Sequence, residues 1–217
     1  MIKWMINTWG IGWVIANIIA WLFFFVSFYF GVVAIKRVMG KAGEWHVRKE
    51  LNKLPKDRYR VFNDVMIEVE GITHQIDHIV TSETGIFVIE TKHRHGLYTG
   101  SKYEKKWIGR SKKKGDFVVP NPIHQNYGHI MSLMKILNVD KSCFINLVCF
   151  TADITIKLDY NENLVAWNDL VSKILSYQDK TVVNVDNINH IIEENNITSR
   201  RLRREHVKTL KNKKLLL

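Results

Sequence analysis

Apolar residues form one unbroken run near the start of the chain, then shorter blocks cut by turn formers. Between residues 10 and 35 no side chain is charged, and residues 11–35 are long enough to cross about 30 Å of hydrocarbon as a helix. Gly40 and Gly43 then predict a break, and Trp45, Val47 and Leu51 suit a short helix over 44–54 that Pro55 ends. Residues 59–62 and 65–69 read as strand. Two β-branched blocks, 75–80 and 85–92, flank Thr81-Ser82-Glu83-Thr84-Gly85 and predict an antiparallel hairpin. A second hairpin is expected over 103–119, punctuated by Gly109 and Gly115. Pro120 and Pro122 lead into a helix over 123–137, with Ile130, Leu133, Met134 and Leu137 on one face. Residues 143–150 read as a buried strand, followed by helices over 169–176, 186–195 and 198–213; Leu202, Val207 and Leu210 give the last only a thin apolar stripe. This order predicts an α/β fold, a mixed central sheet flanked by helices. One transmembrane helix precedes it and a helical basic extension follows.

The first hairpin carries charge inside apolar strands. Pairing centred on Glu83 and Thr84 sets Asp77 opposite Glu90, with Cβ atoms roughly 4.5–5.5 Å apart, and puts Lys92 on the same face. Alternation sends Ile76, His78, Val80, Phe87, Ile89 and Thr91 to the other face, towards the core. Two carboxylates so close repel, which suits either a retained proton or a divalent cation between them. A solvated outer face that happens to carry charge would show the same spacing. His78, His93 and His95 make a poor zinc set, because His78 faces away from the carboxylates and the other two lie beyond the strand.

Asp77, an apolar stretch and Glu90-Thr91-Lys92 resemble the Asp…Glu-x-Lys signature of the PD-(D/E)xK nuclease superfamily. The surroundings resemble more narrowly the nuclease-related (NERD) domain. Gly43-Glu44-Trp45-His46-Val47 is similar to the start of that domain's first helix, and Asn121-Pro122-Ile123-His124-Gln125 to its Asn-Pro-x-x-Gln segment. The resemblance implies a restriction-endonuclease-like domain over 40–150, between an anchor over 1–37 and a C-terminal strand and basic helices over 151–217. It further implies Mg²⁺ or Mn²⁺ held by Asp77, Glu90 and the Thr91 carbonyl, with Glu44 as an additional acidic position for a second metal or a metal-bound water. Lys92 would orient or deprotonate the attacking water or stabilise the transition state, and Gln125 would contact the phosphate or that water.

Charge sharpens the choice of partner. The 217 residues carry a formal net charge of +11, which points to nucleic acid or an anionic membrane surface. One cluster, Lys102, Lys105, Lys106, Arg110, Lys112, Lys113 and Lys114, is interleaved with Tyr98, Tyr103 and Trp107, a combination suited to phosphate contact and base stacking. Another, Arg200, Arg201, Arg203, Arg204, Lys208, Lys211, Lys213 and Lys214, suits a helix lying on anionic lipid. Lys36, Arg37 and Lys41 follow the apolar span and Lys3 alone precedes it, which predicts a single-pass protein of the cell membrane with its bulk cytoplasmic. The span is too long for a signal peptide's apolar region. Cys143 and Cys149, about 20 Å apart in an extended strand, cannot bridge and fit a reducing compartment. Two functions remain: a membrane-anchored, metal-dependent nuclease acting on DNA or RNA, and a membrane-tethered protein that binds nucleic acid without cutting it.

Overall fold

The computed structural model describes residues 2–111, 115–152, 154–158, 162–182 and 184–215. The chain divides into two compact units, Met1–Ala42 and Gly43–Leu217. Helix α1 (Ile2–Leu51) runs through Gly40 and Gly43 without the expected break. Its first unit is long and apolar enough to cross a membrane, and the large apolar side chains from Trp13 to Tyr29 that face outward are all exposed.

Among the described residues of the second unit the predicted strands, joined by three further short ones, form two mixed sheets where one was expected. Strands β1 (Arg60–Val69), β2 (Ile72–Ser82) and β3 (Gly85–Lys92) form an antiparallel meander. A smaller sheet begins with β4 (Gly96–Gly100) and the hairpin of β5 (Lys106–Ser111) and β6 (Gly115–Pro120). After α2 (Pro122–Leu137), β7 (Phe144–Phe150) returns parallel to β3. The two strands then leave the first sheet together, because β8 (Ile154–Leu158) pairs in parallel with β4 just as β7 does with β3. β9 (Leu164–Ala166) closes the first sheet, whose order is β1-β2-β3-β7-β9; the second runs β6-β5-β4-β8. Helices α3 (Leu170–Leu175), α4 (Val185–Asn195) and α5 (Arg200–Leu215) complete the chain.

The expected division of the first hairpin into an apolar and a charged face is not what forms. β3 is a central strand with parallel pairing on one side, and such strands are covered on both faces. Phe87 and Ile89 pack with Val47 and Leu51 of α1 and with Leu170 and Ile174 of α3. Ile86 and Val88 pack with Ile130, Leu133 and Leu137 of α2 and with Ile188 and Ile192 of α4. Ile76 joins Ile79 in this second cluster, whereas Val80 lies in the first, so strict alternation fails around Asp77. The β1–β2 ladder passes from Asn63↔His78 to Val65↔Ile76, and Asp64 there has a φ of 53°.

α2 is locked across the centre by one buried amide. Asn126 Nδ2 lies 2.7 Å from the Val88 carbonyl, 3.1 Å from that of Leu147 and 2.8 Å from Asn146 Oδ1, so it ties the helix to β3 and β7 at once. Replacing Asn126 with Ala strands these acceptors away from water and is expected to cost about 2–3 kcal/mol. Urea denaturation checks this; a midpoint equal to the wild type's would show that the amide is not a structural tie.

Candidate active site

The strand register brings the two acids together. The last β2–β3 pair is His78↔Ile89, which leaves Asp77 and Glu90 as the next opposed positions. Asp77 Oδ2 accepts the Thr91 main-chain N–H at 2.8 Å. Glu90 is buried, its side chain 5% exposed, and needs partners to remain charged. Lys92 Nζ donates to Glu90 Oε1, and Gln125 Nε2 donates to the same oxygen at 2.7 Å. Gln125 Oε1 in turn accepts from Lys92 Nζ at 3.0 Å, closing a triangle between the strand end and α2.

The other Glu90 oxygen faces His129, whose Nε2 lies 3.4 Å away. Sequence reasoning misses this residue. Its signal was its place four residues after Gln125, which stacks the two side chains on one face of α2.

Glu44 reaches the same neighbourhood because Gly43 lets α1 come close to the sheet. A Cβ at position 43 would stand 2.7 Å from Thr151 Oγ1 and 3.3 Å from His93 Cβ. Glu44 is half-buried, and its charge is felt at Asp77. His78 lies outside the group: it is buried, its Nδ1 is 2.7 Å from Asn63 Oδ1, and burial followed by the Arg48 charge lowers its pKa to about 4.

The two opposed acids titrate in opposite directions. Burial works against the Glu90 charge, but the contacts with His129 and Lys92 outweigh it and hold that carboxyl below the usual range. Burial, then the Glu90 charge, pushes Asp77 up to about 8, with the Thr91 amide pulling the other way and Glu44 adding repulsion. A hard oxygen donor whose ionisation its charged neighbour opposes is suited to Mg²⁺ or Mn²⁺, which relieves the repulsion. Among the described residues no group of three or more His, Cys, Asp or Glu is arranged to hold a metal. The opposed carboxylates are Asp77 and Glu90, whose hard oxygens match the donor chemistry of such a cation, and the Glu44 charge acts on Asp77.

The Asn-Pro-x-x-Gln segment has a structural share in this arrangement. Asn121 Oδ1 caps α2 by accepting the Ile123 N–H at 2.9 Å, while its Nδ2 lies 2.7 Å from the Glu104 carbonyl and 3.3 Å from that of Ser101. His124 Nε2 is 2.6 Å from the Lys102 carbonyl. The loop bearing Lys102 and Lys105 is thus pinned to the start of α2, a turn from Gln125.

The basic hairpin itself needs correction. Trp107, expected as a stacking surface, is 1% exposed. Alternation along β5 turns it inward with Gly109, against Tyr98, Val119, Ile123 and Phe150, and its indole N–H donates to the Ser101 carbonyl at 3.0 Å. Tyr98 is buried beside it, and Gly109 is required because a Cβ there would meet the Phe117 and Tyr98 rings below 3 Å. Lys102 is half-buried, Lys105 and Lys106 are exposed, and Arg110 forms a bidentate pair with Asp116 at 2.6 and 2.9 Å. Lys112, Lys113 and Lys114 lie outside the described residues. Tyr103, 79% exposed, is the aromatic side chain of this region that faces solvent.

Residues 39–151 match the nuclease-related domain, a little over half of the chain. The chain belongs to the nuclease-related domain family. This NERD protein is also 38% identical over 182 residues to an uncharacterized protein of Bacillus anthracis, a match that covers 80% of this chain and 84% of its relative. No solved structure matches it significantly. The family's span takes in the whole Asp77, Glu90, Lys92 and Gln125 group, and Gly43 and Glu44 with it.

The raised Asp77 pKa gives a stability test with a definite sign. Between about pH 4 and pH 8 the folded chain holds a proton that the unfolded chain has released, so stability falls as pH rises through that window. Asp77→Asn removes the effect. In EDTA its melting temperature should equal the wild type's near pH 4 and exceed it by a growing margin up to about pH 8. A margin that shrinks with rising pH would contradict the assignment.

Proposed function

We propose that this NERD protein is a membrane-anchored, divalent-metal-dependent nuclease that hydrolyses phosphodiester bonds of DNA or RNA at the cytoplasmic face. The supporting observation is the pair of half-buried Asp77 and buried Glu90 at a strand end, perturbed in opposite directions, with Lys92 on Glu90. A bound Mg²⁺ or Mn²⁺ would supply positive charge to the negative charge that develops on the phosphate oxygens. Asp77, Glu90 and the Thr91 carbonyl would hold it. Lys92, already an ammonium donor at the strand end, turns from Glu90 to the attacking water or to the charged phosphate. Gln125 keeps Lys92 in place through its amide oxygen, and His129 does the same for the second Glu90 oxygen. Glu44 would orient a water or help hold a second cation. Lys102, Lys105, Lys106 and Tyr103 offer contacts for the rest of the strand. Residues 11–35 serve as the anchor, and Lys36, Arg37 and Lys41 keep the second unit on the cytoplasmic side.

One observation favours a second reading. Glu90 Oε1 already accepts from both Lys92 and Gln125, a satisfied arrangement that a protein binding nucleic acid without cutting it could keep as structure. Cleavage assays separate the two. Full-length protein in neutral detergent is expected to cut nucleic acid with Mg²⁺ or Mn²⁺ and not with EDTA. Glu90→Gln and Lys92→Ala should each lower the rate by at least about a hundredfold while binding persists. Tight binding with no cutting in either metal would overturn the enzyme and leave the tether.

The role of His129 has its own test. His129→Ala should reduce cutting less than Lys92→Ala, by about tenfold, because it removes support for Glu90 and not a group on the substrate. A loss as large as that of Lys92→Ala would make His129 a participant in the chemistry.

A further inference from the structure

Helix α5 carries the second basic cluster, and its docking decides what that cluster can meet. Arg203 does not face solvent freely: its Nη1 donates to Asp64 Oδ2 at 2.7 Å, its Nη2 to the Asp64 carbonyl at 2.8 Å, and its Nε to the Ile197 carbonyl at 2.8 Å. His206 is buried, with Nδ1 2.6 Å from Thr73 Oγ1 on β2. Leu202 is half-buried on the same side. A helix that lies on a membrane buries its apolar face in lipid. Here the described part of that face is already turned to the protein.

The docked side also fixes where the helix lies. Burial, then the charge of His129, lowers the His206 pKa, and His129 stands 3.4 Å from Glu90. Asp64, which holds Arg203, is the residue of β1 that the ladder skips across from Asp77. α5 therefore docks on the β1 side of the acid pair, at the position opposite Asp77.

What remains outward is a stripe of cations. Arg201, Arg204 and Lys208 are exposed and spaced three and four residues apart, so they line one helix face over about 10 Å. Arg201 lies 3.8 Å from Glu205, an exposed pair of little strength. Among the described residues no carboxylate pairs with Arg204 or Lys208. Charge complementarity and the proximity of the acid pair name the occupant.

We propose that this face of α5 is a phosphate track of the site, on which Arg201, Arg204 and Lys208 hold the backbone of a nucleic-acid strand whose reacting phosphodiester lies at Asp77 and Glu90. The proposal rests on the nuclease reading and adds the side from which the strand approaches. Phosphate contacts of this kind give affinity and orientation without reading base sequence.

The test is binding of a fluorescein-labelled DNA oligonucleotide, single-stranded and as a duplex, to the full-length chain in neutral detergent with EDTA. Charge reversal by Arg201→Glu, Arg204→Glu and Lys208→Glu together should weaken binding by about tenfold or more, and the slope of log affinity against log salt should flatten by about 2. The chain carrying Arg201→Lys, Arg204→Lys and Lys208→Arg should bind as the wild type does, which separates lost charge from lost folding. Wild-type affinity and slope in the reversed chain would overturn the proposal. If nanodiscs containing phosphatidylserine then protect α5 from trypsin where phosphatidylcholine discs do not, the stripe is a lipid surface instead. Binding that depends on the stripe in a chain that never cuts would overturn the nuclease reading alone; cutting that ignores the stripe would overturn this one alone.

Discussion

A carboxylate buried at the end of a central strand is the constraint from which the rest of the second unit follows. Glu90 sits where β3 is covered on both faces, so its charge survives only if the protein supplies donors in place of water. Lys92 comes from the same strand, two residues on. Gln125 and His129 must come from elsewhere, and only a helix crossing β3 at one height and rotation brings both. Asn126 fixes that height by bonding β3 and β7 carbonyls, and Asn121 fixes the helix start by capping it and gripping the loop before β5. The polar residues of α2 thus divide into those that hold the helix and those that hold the acid.

Much of this was legible because turn chemistry and side-chain spacing are local. The turn at Glu83 and Thr84 determined the β2–β3 register, and with it the opposition of Asp77 and Glu90, before any tertiary information. The helix starting at Pro122 and the buried strand after Cys143 were equally plain from Pro placement and apolar runs. What could not be read was decided by partners far along the chain. The parallel pairing of β3 with β7 turned an expected outer face into core, and Asp64 in a left-handed conformation broke the alternation that assigned Ile76. His129 escaped notice because its meaning depends on Glu90, 39 residues earlier, and a lone histidine on a helix carries no signal of its own.

Trp107 shows how composition misleads where topology rules. An aromatic among lysines suggests a base-stacking surface, yet a strand two residues in period must send alternate side chains to opposite sides. Lys106, Ile108 and Arg110 took the outside, so Trp107 became the centre of the small sheet's core and the lysines kept their exposure without it. The same logic runs in reverse at α5. Its sequence reads as a weak amphipathic helix, but Arg203 and His206 bond β1 and β2, Leu202 next to Arg203 is half-buried, and Arg201, Arg204 and Lys208 are exposed.

These two corrections together change how a polyanion can approach. With Trp107 buried and Arg110 paired to Asp116, the described residues of the small sheet that offer contacts are Lys106, the loop cations and Tyr103, the loop being pinned to the start of α2. α5 is held to Asp64, opposite Asp77, and leaves Arg201, Arg204 and Lys208 exposed. A strand lying between them would pass over Glu90, where the protein already places an ammonium group and keeps a second carboxyl protonated up to about pH 8. An acid pair would repel a phosphate if both members were charged. The raised Asp77 pKa and the Lys92 contact with Glu90 both reduce that repulsion, so the approach proposed above would not need both carboxylates neutralised by a cation first.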